Sequence, residues 1–200
     1  MTCHRSMKAQ PLIANIERIV PLTEEEREIL LSHITYRKLL KGQFLVQQGD
    51  ICRYSGFVLS GCTKTFYVDD DGQEHVIMFS VEDWWASDIG SYITQSPADF
   101  NVQCLENTEF ALLAYENQEA LLEAIPKMER FFRKIIEKAF AASQKRIVRN
   151  FSMSAKDRYL FFRSQYPLME QRIPQYLIAS YLGITKEFLS KIKSQIATEE

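Results

Sequence analysis

Residues 127–151 contain neither glycine nor proline, and they divide a stretch of short β-type runs from one that reads as helix and turn. About 25 residues at 1.5 Å each predict a single helix of roughly 37 Å. Met128, Phe132, Ile135, Ala139 and Ala142 step by four and three, the spacing of a heptad seam. Ile136, Phe140, Ile147 and Phe151 make a second apolar line. Two apolar lines need two partners. One line can pack on the β module and the other on a second copy of the helix, and the Met128 seam is read as the dimer interface. The alternative is a helix buried wholly within one subunit.

The total charge conceals how the chain is built. The 200 residues carry 24 Lys and Arg against 26 Asp and Glu, a net of −2. Residues 1–125 hold nine cations against nineteen carboxylates, a net of −10, whereas residues 126–200 hold fifteen against seven, a net of +8. Such asymmetry suggests two modules, the basic one suited to a polyanion. The competing reading is that the cations merely solvate helices. A hydrophobic content of 46% and only seven Gly and six Pro exclude a disordered or collagen-like chain. No apolar run reaches 18 residues and the start lacks a signal-peptide pattern, so the expectation is a cytoplasmic protein with no membrane partner. Cys3, Cys52, Cys62 and Cys104 are scattered without metal-ligand spacing and read as reduced core fillers. No P-loop, GxSxG or HExxH occurs, so an enzyme is not expected.

Turn signals organise the first module. Thr23 with Glu26 matches a capping box and predicts a helix over about 24–33. Phe44–Val46, Gly56–Leu59, Thr63–Val68, His75–Phe79, Phe100–Leu105 and Glu109–Leu113 read as strands, and Asp71-Gly72 as a hairpin turn. Several short strands at close spacing imply an antiparallel barrel or roll. Ser154 is a plausible N-cap after a joint at 151–154, and Tyr166-Pro167 ends that helix.

The segment from Arg172 to Lys193 carries the function. Pro174 suits a first helical turn, Ala179 allows close helix crossing, Gly183 can take the left-handed conformation, and Thr185 can cap a second helix. Leu189, Ile192 and Ile196 then form a buried face. A small residue, a Gly turn and a capped helix make helix-turn-helix geometry; a plain helical hairpin is the alternative. Lys186, Glu187 and Lys191 are the choice for base readout, with Ser190 a weaker one. Thr185 is counted with this DNA-facing set, and Gln175 and Lys193 are assigned to phosphate.

Taken in order, these motifs resemble the Crp–Fnr transcription regulators over nearly all 200 residues. Gly42 to Asp50, Tyr54 to Gly61, Asp71-Gly72-Gln73-Glu74 and Glu82-Asp83 look like the cyclic-nucleotide-binding roll, and Gln175 to Lys191 is similar to the family's reading head. The resemblance implies an α+β fold: an N-terminal antiparallel β-roll (a double-stranded β-helix), a long dimerisation helix and a C-terminal all-α helix-turn-helix domain. The expected divisions are 1–125 for the effector domain, 126–151 for the dimer helix and 152–200 for the DNA-binding domain. It also implies a homodimer on an inverted-repeat operator in double-stranded DNA, modulated by a small effector, with RNA polymerase as a partner.

The chain departs from the family pattern in three places. The phosphate cassette's Gly-Glu pair is absent after Asp83, and no Arg or Lys occurs between Lys64 and Lys127, so cyclic AMP is not expected to bind. Only Cys3 lies near the N-terminus, and His4, His33 and His75 are isolated, so neither an iron–sulfur cluster nor haem nor another metal is expected. No β-wing is expected after the reading head. Trp84-Trp85 reads as an effector-pocket wall or as a core or interface anchor. The competing function is a ligand-binding or protein-interaction module whose helical tail no longer reads DNA.

Overall fold

The computed structural model describes residues 2–199, with side chains from Lys8 to Thr198; the side chains of Cys3 and His4 lie outside that range. Two helices come first, α1 (Thr2–Glu17) and α2 (Glu24–Ser32). The roll follows with β1 (Ile34–Leu39), β2 (Phe44–Val46), β3 (Tyr54–Ser60), β4 (Thr63–Val68), β5 (Glu74–Ser80), β6 (Trp85–Ala86), a short α3 (Ile89–Thr94), β7 (Asn101–Cys104) and β8 (Thr108–Ala114). The rest is helical: α4 (Tyr115–Ala124), α5 (Lys127–Ser152), α6 (Ala155–Gln165), α7 (Pro167–Arg172), α8 (Gln175–Leu182) and α9 (Lys186–Glu199). The fold is α+β, an antiparallel roll joined to C-terminal helices by one long helix.

Local chemistry explains many of the boundaries. The Glu26 N–H donates to Thr23 Oγ1 at 3.2 Å and the Thr23 N–H to Glu26 Oε2 at 2.6 Å, so the capping box starts α2. Between β4 and β5 the turn follows the Asp-Gly signal: Gly72 has φ +80°, and Asp69 Oδ1 accepts from Asp71 N and Gln73 N at 3.1 and 2.8 Å. The roll closes as two four-stranded sheets, ordered β1-β8-β3-β6 and β2-β7-β4-β5. At the β3–β4 corner Gly61 has φ +106°, and a Cβ there would lie 2.7 Å from Thr108 Cα.

Three helices, α1, α3 and α7, and two strands, β1 and β6, are absent from the sequence reading. In α1, Pro11 sits inside the helix and hides a stripe of Leu12, Ile13 and Ile16 that is buried on the roll. Helices α3 and α7 are six residues each, too short for a period to be legible.

Three apolar clusters order the molecule. One fills the roll with Val58, Val102, Phe110 and Leu112 among others. A second packs α1, α2, α4 and the first turns of α5 on the outer sheet. The third joins roll to head: Phe66, Val76 and Phe79 with Tyr159, Phe162, Leu177, Ile178 and Leu189. Trp84-Trp85 is a staple rather than a pocket wall. Trp85 meets Phe57, Phe131 and Phe132 at centroid distances of 5.5–6.2 Å, while Trp84 meets Tyr166 at 5.8 Å.

The expected dimer seam on α5 needs correction. Met128 is fully buried in the chain's own core, and Phe132 and Ile135 pack against the same cluster. Only Ala139 and Ala142 of that seam are exposed. The roll has taken the first turns of the helix, because β8 and α4 deliver Leu113, Leu121 and Ile125 directly beneath them. The line left open is the other one: Ile136, Phe140, Ile147 and Phe151 are 44%, 64%, 54% and 88% exposed.

An ion-pair clamp fastens the head to the roll. Arg172, the last residue of α7, donates to both oxygens of Glu82 at 2.8 and 3.1 Å and to both oxygens of Glu106 at 2.9 and 2.8 Å. Glu82 also accepts from Gly61 N at 2.8 Å. Beside the clamp, Ser180 Oγ of α8 accepts from Val76 N at 3.0 Å and donates to Glu74 O at 3.2 Å, extending the edge of β5. Burial by itself would push the Glu82 carboxyl up; the Arg172 guanidinium and the backbone N–H of Gly61 outweigh it and hold the group below its ordinary value of 4.5. A carboxyl held low in the folded chain contributes stability above its ordinary pKa, and loses it as pH falls through the lowered value. Hydrogen-exchange protection of β5 and α8 is therefore expected to hold from neutrality down to about pH 4.5 and to decline below it. Arg172→Ala should lower protection at neutral pH and flatten that acid step; an unchanged step would show that the clamp does not set the docking.

Candidate nucleic-acid interface

Helix α8 ends as the glycine signal predicts. Gly183 has φ +67° and ψ +36°, the Gly183 N–H reaches Ser180 O at 3.0 Å, and the Ile184 N–H reaches Ala179 O at 3.0 Å. These two bonds form a Schellman stop. Thr185 Oγ1 then accepts from Phe188 N at 3.2 Å and starts α9. Leu189, Ile192 and Ile196 are buried against Leu177, Ile178 and Tyr159. The turn aims the first two turns of α9 outward, which is the arrangement a groove-entering helix requires.

The expected site residues divide in this frame. Lys186, Glu187, Ser190 and Lys191 are all exposed and share the outer face of α9. Docking of the head on the roll covers α8 and leaves this face open. Gln175 heads α8, half-buried. Thr185 is exposed, but its hydroxyl serves the helix cap. Lys193 departs from its assignment: its ammonium lies 3.3 Å from Glu170 Oε1 and over the Tyr159 ring, on the flank facing α7. Glu170 also accepts the Tyr159 hydroxyl, so Lys193 belongs to a local network rather than to a free phosphate-binding surface. Phe188, 48% exposed among the lysines, was not singled out in the sequence; an apolar residue at this point suits a thymine methyl. Its signal was its place between Glu187 and Leu189 on the face that α9 does not bury.

The roll was expected to lack a phosphate cassette, and a carboxylate lies in that stretch. Asp88 is 3% exposed and accepts from Ser91 N at 3.0 Å, Asp99 N at 2.9 Å and Phe100 N at 3.0 Å. Asp88 thus caps α3 with its own negative charge and takes up N–H groups that an anionic ligand would need. Deeper in, a Cβ at Gly56 would be crowded, with Phe110, Leu45 and Leu112 side-chain carbons at 3.0–3.2 Å from its position.

Cys52, Cys62 and Cys104 are buried free thiols. Burial pushes all three up, Cys62 to about 12, so they stay protonated and are poor metal ligands. Among the described residues no group of three or more His, Cys, Asp or Glu converges as a metal site, and no helix is long and apolar enough to cross a membrane.

Residues 36–124 match the family model of the cyclic nucleotide-binding domain. Over 99% of its length the chain is 24% identical to the transcriptional activator protein Anr of Pseudomonas protegens, covering 82% of that protein. It is also 24% identical to the fumarate and nitrate reduction regulatory protein of Vibrio cholerae, over 90% of this chain and 77% of that one. Among solved structures, the global regulator CLP of Xanthomonas campestris superposes with a TM-score of 0.72 at 16% identity, covering 88% of this chain and 93% of that one. FixK2 of Bradyrhizobium japonicum does so with 0.71 at 14%, covering 83% and 85%. These relatives are named as an activator of transcription, a regulatory protein and a global regulator, not as enzymes. The chain is thus similar to the Crp–Fnr regulators along nearly all of its length, and residues 36–124 match the cyclic nucleotide-binding domain.

Proposed function

We propose that this chain is a cytoplasmic, sequence-specific DNA-binding regulator that works as a homodimer on an inverted repeat. The observation that carries the reading is the free outer face of α9, where Lys186, Glu187, Ser190 and Lys191 stand exposed on a helix fixed by a Schellman turn. Lys pairs with guanine acceptors and Glu with cytosine N4, so the face has the chemistry for direct readout. In a two-fold dimer the two faces would meet successive major grooves about 34 Å apart. RNA polymerase enters as a partner through the resemblance alone.

The second copy follows from α5. A row of Ile136, Phe140, Ile147 and Phe151 in water is costly, and the row has heptad-like spacing. A copy of the same helix, related by a two-fold axis, offers the matching surface.

The effector is proposed to be a small molecule other than cyclic AMP. The buried Asp88 carboxylate and the lack of any Lys or Arg between Lys64 and Lys127 both oppose a cyclic phosphate in the roll.

Four outcomes are expected. On an operator selected in vitro, Lys191→Ala should weaken binding by about 1–3 kcal/mol by gel shift. Wild-type affinity should fall steeply with salt as counterions are released, and a flat salt profile would favour the protein-interaction module instead. Phe140→Asp should convert a dimer into a monomer in sedimentation equilibrium; a variant that stays dimeric would place the interface elsewhere. Titration calorimetry with cyclic AMP should give no saturable heat, and micromolar binding would overturn the reading of the roll.

A further inference from the structure

Where α5 ends, three guanidinium groups converge on one narrow cleft. Arg146 and Arg149 come from α5 and Arg158 from α6, and Phe161, Tyr166 and Tyr181 complete the walls. No Asp or Glu lines it. Elsewhere the covered cations meet carboxylates: Arg172 holds Glu82 and Glu106, Lys64 holds Glu74, and Arg27 holds Glu17. Here the contacts are neutral. Arg146 lies 4.4 Å over the Tyr181 ring and donates to Ile77 O of β5. Arg149 lies 4.2 Å over Phe161. Arg158 donates to Met153 O at 2.9 Å, and its Nε is buried with no hydrogen-bond partner.

Three half-buried cations drawn together without an anion repel one another and leave donors unused. Burial lowers the Arg146 pKa; the Tyr181 ring opposes this, and the charge of Arg149 adds to it. A phosphoryl group would neutralise the set and accept from planar forks that match its geometry. The open space is small, ≈20 Å³ for a water-sized group, so the anion's oxygens enter while the rest of the ligand stays at the mouth.

We propose that this cleft between α5, α6 and α8 is a binding site for a small phosphoryl-bearing ligand, seated outside the roll. Its walls belong to the long helix and the reading head, and Arg146 also holds strand β5 of the roll. An anion bound there would tie the three parts together at the joint that sets the head's position. The binding claim stands apart from the DNA reading, which it needs only for a regulatory consequence.

Titration calorimetry of the full chain with inorganic pyrophosphate, at low ionic strength and without DNA, tests the site. The wild type should bind saturably, and Arg149→Gln and Arg158→Gln should each weaken it about tenfold, as expected for loss of a charge-assisted pair. Lys191→Ala on the outer face of α9 should leave it unchanged. Should a Gln variant fail to fold by circular dichroism, Arg149→Lys and Arg158→Lys keep the charge but lose the fork, and should still bind more weakly than wild type. No saturable binding by the wild type overturns the proposal, and so does equal binding by wild type and variants, which would mean an adventitious ion only. DNA affinity that falls in Arg149→Gln while pyrophosphate never binds would assign the cluster to the DNA backbone and also overturn it.

Discussion

The head is held against the roll, and most of the rest depends on that contact. Phe66, Val76 and Phe79 of the roll share one apolar cluster with the core of the reading head, from Tyr159 to Ile196. Residues 152–200 are too few to bury much apolar surface alone, so the roll completes their core. Around this contact Arg172 ties Glu82 and Glu106 with four hydrogen bonds. Ion pairs this exposed contribute little each, so apolar burial supplies the adhesion and the clamp sets its register. The split of −10 and +8 is therefore partly internal: some basic charge of the second half faces acids of the first. The outer face of α9 stays open to an external polyanion, while the arginines at the end of α5 close on a cleft fit only for a small anion.

Helix α5 links every part. Its first turns are core, with Met128 and Phe131 fully buried under the roll, and Lys127 pairs with Glu26 at 2.7 Å. Its middle is an open apolar row, and its last turns carry Arg146 and Arg149 to the head. A change in the roll, at the open apolar row or at the joint therefore acts on one continuous helix, which is the physical requirement for coupling distant sites. The roll interior is tightly packed around Gly56, and Asp88 fills the N-terminus of α3.

Elements were legible where a few adjacent residues carry the whole signal. Thr23 with Glu26, Asp71-Gly72, Ser154 and Gly183 each act through hydrogen bonds within about five residues, and each stands where it was expected. The six strand-like runs lie within or overlap β2, β3, β4, β5, β7 and β8, whereas β1 and the two-residue β6 gave too little alternation to register. Helix α1 escaped notice because Pro11 argues locally against a helix that burial of Leu12 and Ile16 sustains.

The site was half legible for the same reason. By itself the sequence determined the turn, the cap and the outward face of α9, because a Gly at positive φ and a capping Thr leave the chain few alternatives. Only the tertiary structure decided which cations stay free. Lys193 and Lys191 lie two positions apart on one helix, yet one meets Glu170 from α7 and the other meets solvent. Met128 and Phe140 are both apolar residues of α5, yet one is covered by the roll and the other is not. Arg146 and Arg158 converge from two helices that meet at a joint. In each case the deciding partner comes from another element, so a helical period states which residues share a face but not what that face meets.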